Sequence, residues 1–211
     1  MSSKDRRRSS GLPRQPWSDG TAKDSPTRQR NGGRYRGNMS KYEIRVFGDP
    51  VLKRVAAEVG DVDGKFVDTC NEMLDAMYEA RGIGLAAPQV GIGQRFFVYD
   101  FGDGPGVLIN PEIRESRGEW EFEEGCLSVP GLSWDIIRPK EIHIVGFDLD
   151  GNELSIEADE LESRLFQHEL DHLDGTLLFD YLDDDQVREA KRTLRERAMG
   201  QSDDQPGLSP L

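Results

Sequence analysis

Residues 164–175 read Arg-Leu-Phe-Gln-His-Glu-Leu-Asp-His-Leu-Asp-Gly and carry two of the three histidines in the chain, His168 and His172. On a helix advancing about 100° per residue, positions four apart lie only about 40° from one another, so the two imidazoles aim at one point. Leu161 and Leu165 continue that stripe towards the helix start. Glu169 is turned about 100° away, beside the stripe, where it reaches a water next to a metal and not the metal itself. The same residues also admit a plainer reading, a pair of histidines complementing a helix C-terminus. If a metal is held, a third ligand is missing from the motif. Peptidases with His-Glu-x-x-His draw it from downstream, yet the remaining histidine, His143, lies upstream and alternates with Ile142 and Ile144 as a residue facing out of a sheet. That argues against an ordinary zinc peptidase.

The 211 residues suffice for one core-forming domain. No apolar run approaches the roughly 18 residues of a membrane span. With two cysteines, Cys70 and Cys126, a disulfide framework is not expected, and reduced thiols fit an intracellular, cytoplasmic protein. The net charge of −13 is unevenly spread. Residues 1–38 hold ten basic and three acidic residues, a balance of +7, leaving seventeen basic and thirty-seven acidic residues, −20, in the rest. So acidic a body repels polyanions, which excludes DNA as a partner of its surface.

Residues 1–38 are rich in Arg, Ser, Gly and Pro and read as a disordered basic extension. Three origins compete: an over-extended start ahead of Met39, an organelle transit peptide, and a basic RNA-contacting tail. The first is the most economical; the second would change the compartment. A catalytic domain is expected over 39–183, a charged helix over 184–199 and a disordered tail over 200–211. Within the body, Pro50 opens a short helix, and Phe66, Cys70, Met73, Leu74 and Met77 mark the buried face of a helix from Gly64 to Arg81, stopped by Gly82. Cys70 therefore reads as core. Strand patterns follow at 95–101, 107–110, 112–123 (bent at Gly118) and 141–150, the last pairing with "ELSIEA" across "DGN". Asp159 is the expected N-cap of the histidine helix and Gly175 its stop. Strands joined by short turns ahead of a late helix give an α+β fold: antiparallel sheets around a central His-Glu-x-x-His helix, with N-terminal and C-terminal helices.

Two further stretches are too particular for scaffolding. "ARGIGLAAPQVG" (80–91) combines three glycines and small alanines, a loop whose backbone can approach something closely. "EFEEGCLSVPG" (121–131) ends a polar strand on a glycine and Cys126, away from any apolar periodicity, which suits a soft metal ligand better than a core filler. In their order and separations, "GIGLAAPQ", "EGCLS" and "QHELDH" resemble the three signature motifs of the peptide deformylases, over about residues 41–182.

The resemblance implies that Cys126 joins His168 and His172 as third metal ligand, with Glu169 as general acid and base. It implies that the Gln89 side-chain amide and the Leu127 backbone N–H donate to the substrate's formyl oxygen. Ile83 and Gly84 would pair with the substrate backbone as an added strand, and Ile83, Leu161 and Leu165 would line the methionine pocket. The implied substrate is a nascent peptide beginning with N-formylmethionine, and the products are formate and a free amino terminus; the alternative is a general metallopeptidase. Ferrous iron is the metal the resemblance favours, with Zn2+, Ni2+ or Co2+ also accepted. Arg138 falls at a different place from the arginine that contacts substrate in some relatives and takes no role. Asp171 reads equally as a residue orienting a ligand and as part of a solvated face. Arg188, Arg192 and Arg195 form a basic stripe: a ribosome contact, as in some relatives, or a solvated helix with internal ion pairs.

Overall fold

The computed structural model describes residues 41–200; the expectations for residues 1–38 and for 201–211 lie outside them. Asp49 caps a single 3-10 turn, Pro50–Lys53, by accepting the Val51 N–H. Asp63 does the same at Phe66 N–H for helix α1, Gly64–Glu79. All five apolar positions expected on the inner face of α1 are buried, Cys70, Met73 and Met77 completely. The helix ends sooner than expected. Arg81 takes a left-handed conformation (φ 58°), and Gly82 N–H closes the turn onto Met77 O.

Five antiparallel strands form the main sheet in the order β1 (Gly84–Ala86), β2 (Phe96–Tyr99), β3 (Gly106–Arg117), β6 (Glu141–Phe147) and β7 (Glu153–Asp159). Alternation along the strands divides the core. Leu85, Phe96, Val98, Val107 and Ile109 pack with α1. Ala86, Phe97, Leu108, Ile142 and Ile144 pack with Phe166 and Leu173 of the second helix, α2 (Glu160–Leu173). The sheet thus carries α1 and α2 in two separate apolar clusters. β1 was expected to be loop, and is instead the outer strand of the sheet, paired among the described residues with β2 alone.

Residues 112–123 are not one bent strand. β3 ends at Arg117, Gly118 turns the chain (φ 69°), and β4 (Trp120–Cys126) starts a separate two-stranded sheet with β5 (Val129–Arg138). β5 was not recognised in the sequence. Leu127 and Ser128 connect the two strands, which puts Cys126 at the hairpin tip opposite Val129. Asp159 stands at the N-cap of α2, although its side chain makes no capping bond. The last helix, α3 (Asp184–Ala198), starts on a capping box in which Asp183 accepts from Gln186 N–H and the Gln186 side chain accepts from Asp183 N–H. Its Ala190, Val187 and Leu194 pack on Val129, Trp134 and Phe179. His143 faces away from the core, half-buried, with Nε2 2.9 Å from Ser155 Oγ. None of the described helices is long and apolar enough to cross a membrane.

Candidate active site

The second and third of the three motifs, on separate elements of the fold, meet here. The i, i+4 spacing on α2 stacks His168 edge-on to His172, ring centroids 5.1 Å apart. The β4–β5 tip brings Cys126 Sγ to 3.2 Å from His172 Nε2, and one ligand atom from each of the three residues lies within 4.8 Å of the others. Behind the cluster, Glu124 Oε2 sits 3.1 Å from His168 Nδ1, which turns the other ring nitrogen towards Cys126. Burial would raise the Glu124 carboxyl, but His168 and Arg138 outweigh it and hold the pKa at about 2. A sulfur and two imidazoles, one of them oriented by a buried carboxylate, form a donor set suited to a divalent first-row metal.

Glu169 projects beside the pair and is 2% exposed, with Oε2 unpartnered. Burial dominates its environment and pushes its pKa up to about 7. A Cβ placed on Gly84 would stand 2.5 Å from Glu169 Oε1 and 2.7 Å from Leu165 Cδ1. The demand for glycine at 84 therefore has a cause inside the protein, in addition to any substrate backbone. Gln89 is oriented as well: its Oε1 accepts the Ala86 N–H at 2.8 Å, which leaves Nε2 facing Ser128 Oγ (3.3 Å) and Cys126 Sγ (3.7 Å). Leu127 is half-buried next to Gly82, where a Cβ would stand 2.9 Å from its Cδ1. Ile83 is half-buried and its carbonyl accepts from Asp100 N–H. Leu165 is fully buried, while Leu161, one turn earlier, is 40% exposed.

The sequence reading missed the polar wall behind the histidines. Arg138 donates to Glu124 from Nε (2.6 Å) and Nη2 (3.0 Å), and pairs with Asp171 at 2.8 Å. Tyr181 OH bonds Asp171 at 2.8 Å. Asp171 is thus neither a free solvated residue nor a direct partner of a ligand; it acts on Arg138. Arg164, fully buried, also pairs with Glu124. A usable signal existed for the wall: Arg164 lies one turn before His168, and Glu124 shares its strand face with Trp120 and Phe122.

The α+β fold and this centre define a metal-dependent hydrolase. The chain belongs to the polypeptide deformylase family, whose model matches residues 41–188. It is 53% identical over 139 residues to a peptide deformylase of Agathobacter rectalis, covering 66% of this chain and 88% of that protein. A Clostridium botulinum relative is 47% identical over 142 residues, covering 67% and 97%. Among solved structures, a Legionella pneumophila peptide deformylase aligns with a TM-score of 0.73 at 37% identity, covering 77% of this chain and 98% of its own. The Synechococcus elongatus enzyme, solved with actinonin, aligns at 0.70 with 38% identity, covering 73% and 86%.

Proposed function

We propose that Cys126, His168 and His172 hold one divalent metal, and that Glu169, Gln89 and Leu127 carry out the family's reaction beside it. That reaction removes the formyl group from N-formylmethionine at the start of a new peptide. The observation that carries the reading is the meeting of the Cys126 sulfur with both imidazoles in one cluster. A divalent ion in such a set acts as a Lewis acid and brings the pKa of water down to about 7.

The protein's own groups do the rest. Glu169, buried and with a free oxygen, takes a proton from the attacking water and returns it to the departing amine, so that the C–N bond breaks to formate and a free amino terminus. Gln89 Nε2, aimed by the bond from Ala86 to Oε1, donates to the formyl oxygen as charge gathers there, and Leu127 N–H joins it. The outer edge of β1 at Gly84, with Ile83 just ahead of the strand, receives the peptide as an additional strand. Ile83, Leu161 and Leu165 enclose the methionine side chain. Ferrous iron is the favoured metal on the resemblance, and the thiolate–imidazole set also accepts zinc, nickel or cobalt.

The rival reading, a general metallopeptidase, is disfavoured by the upstream sulfur ligand. Formyl-Met-Ala, acetyl-Met-Ala and unformylated Met-Ala, each incubated with wild type and Glu169→Gln, separate the two. The deformylase reading expects formate from the first peptide alone, and a metal-replete but silent variant. Cleavage of the Met-Ala bond would sink it. Work on nascent chains puts the enzyme in the cytoplasm. On α3, Arg188 pairs with Asp185 and Arg192 with Glu189, which supports a solvated helix over a ribosome contact through that stripe.

A further inference from the structure

The Cys126 hairpin forms its own two-stranded sheet and, among the described residues, shares no ladder with the strands around it. Something else must keep its sulfur in register with two nitrogens on α2. The tip end is anchored by Val129, Leu132 and Trp134 packing against Phe179 and α3, and by Phe47 N–H donating to Ser128 O. The open end, 120–124 and 136–138, continues through Gly118 into β3 and through Pro139 and Lys140 into β6, and Arg138 ties β5 to Asp171 on α2; a hold of α2 on both strands of the hairpin at once is a further requirement.

Arg164 supplies it. The residue sits on α2 one turn before His168 and is completely buried. Nη1 donates to Ile136 O at 3.0 Å, lies 3.5 Å from Phe122 O, and pairs with Glu124 Oε1; Nη2 donates to Trp120 O. The guanidinium also lies over the Trp120 ring, 4.9 Å from its centroid. One side chain on the histidine helix therefore grips both strands of the cysteine hairpin. It also grips the carboxylate that orients His168. A guanidinium spreads its donors over separate nitrogens and so reaches acceptors on two strands at once, whereas an ammonium carries its three donors on a single nitrogen.

Taking Cys126, His168 and His172 as the metal ligands, we propose that Arg164 is a positioning residue of that centre. It clamps the open end of the hairpin to α2, so that sulfur and imidazoles are held at bonding separation, and it steadies Glu124 at the hidden nitrogen of His168. Removing it leaves the carbonyls of Trp120 and Ile136 without this donor and leaves Glu124, two residues upstream of Cys126, held by Arg138 and His168 alone.

The test uses the full chain as wild type, Arg164→Met and Arg164→Lys. Folding is followed by circular dichroism and thermal melting, Zn2+ affinity by chelator competition at 10 °C, and sulfur coordination by the thiolate-to-metal absorption band of Co2+-loaded protein. Folded Arg164→Met is expected to bind Zn2+ about 10- to 100-fold more weakly and to show a weakened cobalt–thiolate band. Arg164→Lys should fall between it and wild type. A residue that only adds stability would lower the melting temperature and leave affinity and band untouched, and that result overturns the proposal. If Arg164→Met does not fold, Arg164→Lys decides: weaker Zn2+ binding supports the clamp, and wild-type affinity overturns it. Failure of both variants to fold also overturns it, because Arg164 would then hold the fold and not the site. Wild type that binds no Zn2+ overturns the ligand assignment itself, a result distinct from all of these.

Discussion

Gly84 and Glu169 occupy adjoining space: a single carbon added to the glycine would stand 2.5 Å from the carboxylate oxygen. The outer strand of the sheet and the α2 carboxylate to which we assign the proton transfer are thus packed backbone against side chain. Gly84→Ala must push a buried carboxylate out of line, and a positioned general base is worth about 100- to 10,000-fold. Formate release should fall by about 100-fold or more while metal content stays at the wild-type level. Gly93→Ala, with no atom within 4 Å of the new carbon, is the control and should be unaffected.

Gln89 is oriented through its own carbonyl end, so its loss should be felt in turnover more than in binding. Gln89→Ala is expected to lower kcat by about 100- to 1000-fold, the usual effect of deleting a donor to a developing oxyanion. KM should change far less. Steady-state kinetics on formyl-Met-Ala with zinc content measured in parallel checks this, and an equal loss in KM and kcat would count against the assigned role.

The two thiols should behave differently. Cys70 is fully buried on α1, and burial pushes its pKa from 9.0 up to about 12. Cys126 is half-buried at the hairpin tip. Iodoacetamide at pH 8 should therefore modify one thiol in metal-free folded protein, none when Zn2+ is bound, and both in denaturant, as counted by mass spectrometry. The Cys70 shift also has a sign for stability. Between pH 9, where the unfolded thiol ionises, and about 12, folding must reprotonate it, so its contribution is full below pH 9 and is lost as pH rises.

Phe166 lies on the far side of α2 from the histidines' partners, within ring contact of Phe97, Tyr99 and Phe101. Phe166→Ala should cost about 3–5 kcal/mol of stability, as a large buried side chain replaced by a cavity. Urea denaturation of the metal-loaded variant measures it; a loss under 1 kcal/mol would mean that the cluster repacks at little cost.

Much of the site was legible because it is local. The 3.6-residue period of α2 sets His168, His172, Leu165 and Glu169 on their faces whatever the rest of the chain does, and the inner face of α1 was readable for the same reason. The β4–β5 pair was not. Its outward face carries Glu121, Glu123 and Asp135, and its inward face mixes Trp120, Phe122 and Ile136 with Glu124 and Arg138, so no clean apolar alternation marks it. The wall behind the histidines was hidden for a related reason. Glu124 meets Arg138 across 14 residues of chain and Arg164 across 40, and each alone looks like an ordinary surface charge.

By itself, then, the order of residues determined the periodic helices, the chemistry available at Cys126, His168, His172 and Glu169, and the family. Tertiary structure decided that a detached hairpin delivers the sulfur to the imidazoles, which way the Gln89 amide points, and why residue 84 has no side chain. The first and the last depend on distances between segments far apart in the chain, and the second on a loop turn in which the Gln89 side chain accepts from Ala86 N–H; short-range periodicity encodes none of them. They are set by how buried polar groups find partners and how close a backbone packs against side chains.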